Sequence, residues 1–135
     1  MSDRRYHNPE GLHGNPAFSH GVSVPASART IYVGGQNAID ARGSLVGEND
    51  LFAQTVRALE NLQAVLADAG ATLRDVVKWS VLVVEGQSAG DGLRAFGSVW
   101  GRHPDPPAIT VAFVSGLAIP GALVEIEAVA VVEGE

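Results

Sequence analysis

The chain has 135 residues, 46% of them apolar, and carries nine Lys and Arg against fifteen Asp and Glu, for a formal net charge of −6. That length and apolar content suit one domain with its own core, and the absence of cysteine excludes disulfides, thiolate nucleophiles and Cys-based metal sites. The acidic balance, with no basic run, argues against a polyanion-binding surface, so nucleic acid is not an expected partner. His7, His13, His20 and His103 are scattered without metal-ligand spacing, so neither a metal nor a cofactor is expected. The opening "MSDRRYHNPEG" has two arginines but no apolar segment behind them, unlike a secretory signal, and no stretch reaches the ~20 apolar residues of a membrane span. The expectation is a soluble, cytoplasmic chain.

In chain order, residues 1–17 read as an irregular lead-in, being rich in Asn, Pro, Gly and His with no period, and residues 18–135 as a single domain. "FSHGVSVP" and "RTIYVGGQ" are short strand-like runs joined by "ASA", which predicts a hairpin. Phe18 and His20 then share a face. Gly34 and Gly35 allow either a tight bend or a close backbone approach.

"NDLFAQTVRALENLQAVLADAGA" spaces Phe52, Val56, Leu59, Leu62, Leu66 and Ala69 as a helix would. Asn49 or Asp50 suits its N-cap and Gly70 its end. "DVVKWSVLVVE" is a strand apolar enough to be covered on both faces. "DGLRAFGSVWG" is a weaker helix with Leu93, Phe96, Val99 and Trp100 on one side, and "RHPDPPA" breaks it. "AITVAFV" is a strand, and so is "LVEIEAVAVVE". In that last strand Val124, Ile126, Ala128, Ala130 and Val132 form one face, while Glu125, Glu127, Val129 and Val131 form the other. Trp79 and Trp100 read as packing residues, and Lys78 as a partner for a carboxylate across an interface.

The order ββαβαββ predicts an α+β two-layer sandwich with both helices on one face of a sheet. The apolar residues on the sheet's other face require cover that one copy cannot supply. A homo-oligomer is therefore expected.

The pieces "FSHG", "IYVGGQ", "AQTVRALENLQAVLADAGA", "DVVKWSV" and "ALVEIEAVAV", taken in this order over residues 16–132, resemble the RidA/YjgF family of reactive imine and enamine deaminases. The resemblance implies a chorismate-mutase-like fold, a homotrimer with an inner β-barrel, and intersubunit clefts that hydrolyse a small 2-imino or enamino acid. It implies that Glu125 is the glutamate that orients water, and that Gly34-Gly35-Gln36 is the cleft-lining turn, with glycine in place of the family's serine. Phe18 falls where the family has a tyrosine and lacks the hydroxyl. His20 is a further cleft candidate beside it. Ala108 falls where the deaminases carry the arginine that grips the substrate carboxylate, and Phe18 and Ile109 are expected as apolar neighbours of the Glu125 carboxylate.

The losses at positions 108 and 18 imply a substrate other than simple 2-iminopropionate, or one gripped differently. The same losses leave a second reading open, a non-catalytic trimer that binds a small metabolite. A ribonuclease or translation-inhibitor role, attributed to some relatives, suits this acidic chain least.

Overall fold

A computed structural model describes residues 3–134; Met1 and Ser2, which fall in the expected lead-in, and Glu135, at the end of the expected 18–135 domain, lie outside the described residues. The elements are β1 (Arg5–His7), β2 (Gly21–Ser23), β3 (Arg29–Gln36), α1 (Leu51–Asp68), β4 (Val76–Val84), α2 (Ala89–Trp100), β5 (Ala108–Val114) and β6 (Val124–Val132). A 3-10 turn over Leu73–Asp75 precedes β4.

β3, β6, β4 and β5 form one sheet in that order, with β6 antiparallel to both neighbours and β5 parallel to β4. α1 connects β3 to β4, and α2 connects β4 to β5. Each helix is therefore the crossover between two strands running the same way, and crossovers of one hand put both helices on one face. The result is the expected two-layer α+β sandwich in its chorismate-mutase-like form. Among the described residues no helix is long and apolar enough to cross a membrane.

α1 starts where Asp50 accepts a hydrogen bond from the Ala53 amide at 3.0 Å. It ends in a Schellman turn: Gly70 adopts φ +77°, its N–H reaches Ala67 O, and the Ala71 N–H reaches Leu66 O at 2.8 Å. The face it buries differs by one position from the expected stripe. Leu51, Gln54, Thr55, Ala58, Leu59, Leu62 and Leu66 are buried, whereas Phe52 is 40% exposed. Two polar residues take core positions, so the apolar spacing alone misplaces the stripe.

Under the helices, Leu59, Leu62 and Leu66 meet Val76, Trp79, Val83, Val124, Ile126, Ala128 and Ala130 in one core. The β6 face expected to be core is core. Trp79 packs edge-on against Phe96, with centroids 5.2 Å apart, and against Trp100 at 5.9 Å. In α2, Leu93 stands 68% exposed rather than joining Phe96, Val99 and Trp100.

The expected hairpin between residues 18–25 and 29–36 does not form. β2 is confined to Gly21–Ser23 and pairs with Arg5–His7, inside the lead-in expected to be irregular. β3 pairs with β6 instead. The physical reason lies at both ends of β2. Pro25 can donate no ladder bond, and the chain turns there through Ala28 N–H to Pro25 O at 3.1 Å. On the other side the segment before Gly21 is held elsewhere: the Ser19 N–H donates to Pro107 O at 3.1 Å and the His20 N–H to Asn8 Oδ1 at 2.9 Å.

The sheet face away from the helices carries Glu125, Glu127, Val129, Lys78, Ser80, Leu82, Thr110 and Tyr32, as the register requires. Tyr32 is 80% exposed there. Glu127 and Thr110 are exposed with it, and the rest of these residues are half-buried.

Candidate functional site

β6 alternates buried and open residues, which lifts the Glu125 side chain onto the uncovered sheet face. The strand opposite is built to receive it. Between Val33 and Gln36 the β3 register slips against β6, a β-bulge centred on Gly34 and Gly35. A Cβ added at Gly35 would lie 2.6 Å from Glu125 Oε2 and 2.8 Å from Cδ, whereas one added at Gly34 meets nothing within 4 Å. Of the two readings of this glycine pair, the close approach holds at Gly35, whereas Gly34 is uncrowded and neither glycine has a positive φ. The carboxylate lies over the Gly35 backbone because position 35 has no side chain.

The other carboxylate oxygen is tethered. Asn37 Nδ2 donates to Val124 O at 3.0 Å and, at a longer 3.4 Å, to Glu125 Oε1. Asn37 is itself fixed through its backbone: Asn61 Nδ2 donates to Asn37 O at 3.0 Å and to Ile39 O at 2.8 Å. Asn61 Oδ1 accepts from Arg57 Nε at 3.0 Å. Gln36, next to the bulge, donates to Gly34 O at 3.2 Å and stiffens it.

The start of β6 is held from below by Gln54, which is fully buried. Its Nε2 donates to Gly47 O at 3.0 Å and Gly121 O at 3.1 Å, and its Oε1 accepts from the Leu123 N–H at 2.8 Å. One amide thus ties α1, the loop before it and the turn that feeds Glu125 into the sheet.

Behind Asn37 an open depression of about 500 Å3 is lined by Gly35, Gln36, Asn37, Asp40, Arg57 and Asn61, among others. The Asp40 carboxyl is held below its usual pKa. Hydrogen bonds from the Ser44 N–H and then the Arg42 N–H lower its pKa. No group of three or more His, Asp or Glu among the described residues could hold a metal.

The remaining site residues gather at the far end of the sheet. Phe18 and His20 flank Ser19, whose bond to Pro107 O sets them beside the start of β5 and Ala108. Their rings meet edge-on at 5.3 Å, and both contact His13, at 5.9 and 5.0 Å. His20 Nε2 lies 2.8 Å from His13 O. Neither Phe18 nor His20 is in a strand, since β2 begins at Gly21.

Ala108 pairs with Lys78, and Lys78 with Val129; Glu125 pairs with Leu82, which pairs with Ala112. The two rows are four residues apart on β4, about 13 Å along the strand. Within one chain, Glu125, Gly34, Gly35 and Gln36 therefore form one group, and Phe18, His20 and Ala108 a second that a small ligand on the first cannot touch. Ile109 belongs to neither: it pairs with Trp79 on the helix side and packs against the core. Glu127 is exposed on the open face.

Sequence reading missed what Asn37 and Gln54 do. Gln54 gave no local signal, because the apolar spacing of α1 leaves it off the expected stripe. Asn37 gave none either, its partners being 87 and 88 residues away.

The glycine pair makes a differential test. Gly34→Ala should leave ligand binding and turnover near wild type. Gly35→Ala should push the Glu125 carboxylate out of its notch and cut activity by about tenfold or more with little loss of stability, since the group displaced is the end of a flexible side chain. Paired kinetics and thermal melts read both outcomes.

The model of the family described as endoribonuclease L-PSP matches residues 12–132. Among curated proteins, DfrA of Myxococcus xanthus is 32% identical over 133 residues, covering 97% of each chain. Among solved structures, YyfB of Yersinia pestis, described as a Rid-family protein of unknown function, superposes with a TM-score of 0.83 at 40% identity, covering 96% of this chain and 99% of that one. RidA from an Antarctic Psychrobacter superposes with a TM-score of 0.67 at 29% identity, over 84% of this chain and 87% of that one.

Proposed function

Because this chain belongs to the Rid/YjgF family, we propose that it hydrolyses a reactive imine or enamine in a cleft between copies of itself, with Glu125 as the catalytic carboxylate. The single observation that carries this reading is the Glu125 carboxylate resting in the Gly35 notch and steadied by Asn37. Such a group can take a proton from water as the water adds to the C=N carbon, and return it to the nitrogen as that bond breaks. The sum is imine plus water giving carbonyl plus ammonia, and an enamine enters the same path after tautomerising to the imine.

The 13 Å between the two groups of site residues supports an intersubunit cleft, in which the Glu125 end of one copy meets the Phe18–Ala108 end of another. The uncovered face with Tyr32 supports the same assembly, for which the family resemblance implies a trimer closed around an inner barrel, in a chain whose composition suits the cytoplasm. The test is ammonia release from a freshly generated imine, measured against buffer. Release well above buffer supports the reading.

A second reading, a non-catalytic metabolite-binding oligomer, is favoured by Ala108 and Phe18, which remove a guanidinium and a hydroxyl from the cleft. It gains if no imine or enamine is turned over faster than by buffer while a small carbonyl compound still binds. The family model's description as an endoribonuclease suggests a third activity, which the acidic surface does not favour.

A further inference from the structure

We propose that Lys78, seated by Thr110, is the group that receives the anionic end of the ligand in place of the absent arginine at position 108. This rests on the cleft reading above and names the chemistry of its far end. Lys78 is the direct β4 partner of Ala108, so the two side chains leave the same face of the sheet from adjacent strands about 4.8 Å apart. Thr110, two residues beyond Ala108, shares that face, and Lys78 Nζ donates to its Oγ1 at 2.6 Å. Lys78 forms no ion pair among the described residues. An ammonium has three donors, so the hydroxyl fixes one and leaves two directed away from the Thr110 contact.

The environment makes that vacancy consequential. Lys78 is partly buried, with Val129 on one side and Ala108 on the other. The Lys78–Thr110 hydrogen bond lies at an exposed point of this face, so the ammonium can be reached by a ligand from the uncovered side. Of the acids on this face, Glu127 stands in the next row, on the far side of Ser80 from Thr110, and Glu125 one row further, paired with Leu82; neither forms an ion pair with Lys78. A point charge on a flexible stem is a looser grip than a planar guanidinium, so the site tolerates bulkier 2-imino acids than a bidentate clamp would.

Calorimetric titration with pyruvate, a 2-oxo acid, and with acetone, its counterpart lacking the carboxylate, tests this. Wild type should bind pyruvate with an affinity that falls as salt is added, and Lys78→Met should weaken that binding about tenfold or more. Lys78→Arg, which keeps the charge, should retain most of it. Thr110→Val should lose a smaller share. Acetone should not distinguish the variants. Sedimentation of each variant checks assembly. Should Lys78→Met fail to assemble, the salt dependence of wild type together with Lys78→Arg and Thr110→Val decides.

Pyruvate affinity unchanged in Lys78→Met, salt-insensitive in wild type, or undetectable in wild type overturns the proposal. The two readings separate cleanly. Pyruvate bound through Lys78 with no imine turned over sinks the hydrolase and leaves the subsite, whereas imine turnover with unchanged pyruvate affinity in Lys78→Met does the reverse.

Discussion

Glu125→Gln should lower the rate of ammonia release from 2-iminopropionate, or from whichever imine the wild type prefers, by about 100-fold or more. That is the low end of what a positioned acid–base group contributes. The variant is close to isosteric, and a carboxamide oxygen can still accept from Asn37, so the fold, the assembly and ligand binding should persist while proton transfer is lost. The substitution thus separates chemistry from binding, provided that turnover and affinity are both measured. Retained turnover in Glu125→Gln would remove the carboxylate from the mechanism and leave the binding-protein reading in possession.

The second large effect falls on stability. Gln54→Ala should destabilise the chain by roughly 3 kcal/mol or more, read as a shift in the urea midpoint at constant slope. The amide satisfies two carbonyls and one N–H, and the site is fully buried, so water cannot replace what is lost without opening the core. Leaving each of these groups unpaired costs about 1–3 kcal/mol. Gln54→Leu should fare no better, because it fills the space but bonds nothing. Activity should fall with stability, since the Leu123 amide that Gln54 holds lies two residues ahead of Glu125. A midpoint shift too small to measure would show that the turn at Gly121–Leu123 stands without it.

These two residues show where the sequence is legible. The strand carrying Glu125 is read from alternation alone, as are α1 and its caps, because a period of two or of three to four residues is a local signal. Placing Gln54 and Thr55 in the core is not local: Phe52 is as apolar as any core residue and still faces out, because the sheet meets α1 one position away. The failed hairpin has the same origin. β2 looks ready to pair with the run that follows, but Pro25 limits it, and a backbone bond from Ser19 to Pro107, 88 positions on, decides where it goes.

At the site, the family pattern names Glu125 and the glycine pair, and the structure places the Glu125 carboxylate against Gly35. That pattern treats Ala108 as part of the same pocket as Glu125, and only the strand register reveals that the two lie at opposite ends of one sheet. Asn37 and Lys78 depend on pairings between distant segments, which no window along the chain contains.

On the proposed reading, one copy holds two separated halves of the site and a working cleft needs a neighbour. Sedimentation equilibrium of the purified protein, run alongside an imine-hydrolysis assay at the same concentrations, tests it most directly. A three-copy species should persist throughout the range in which ammonia is released, with activity fading as dilution dissociates it. A single-copy species that keeps its full specific activity would contradict it.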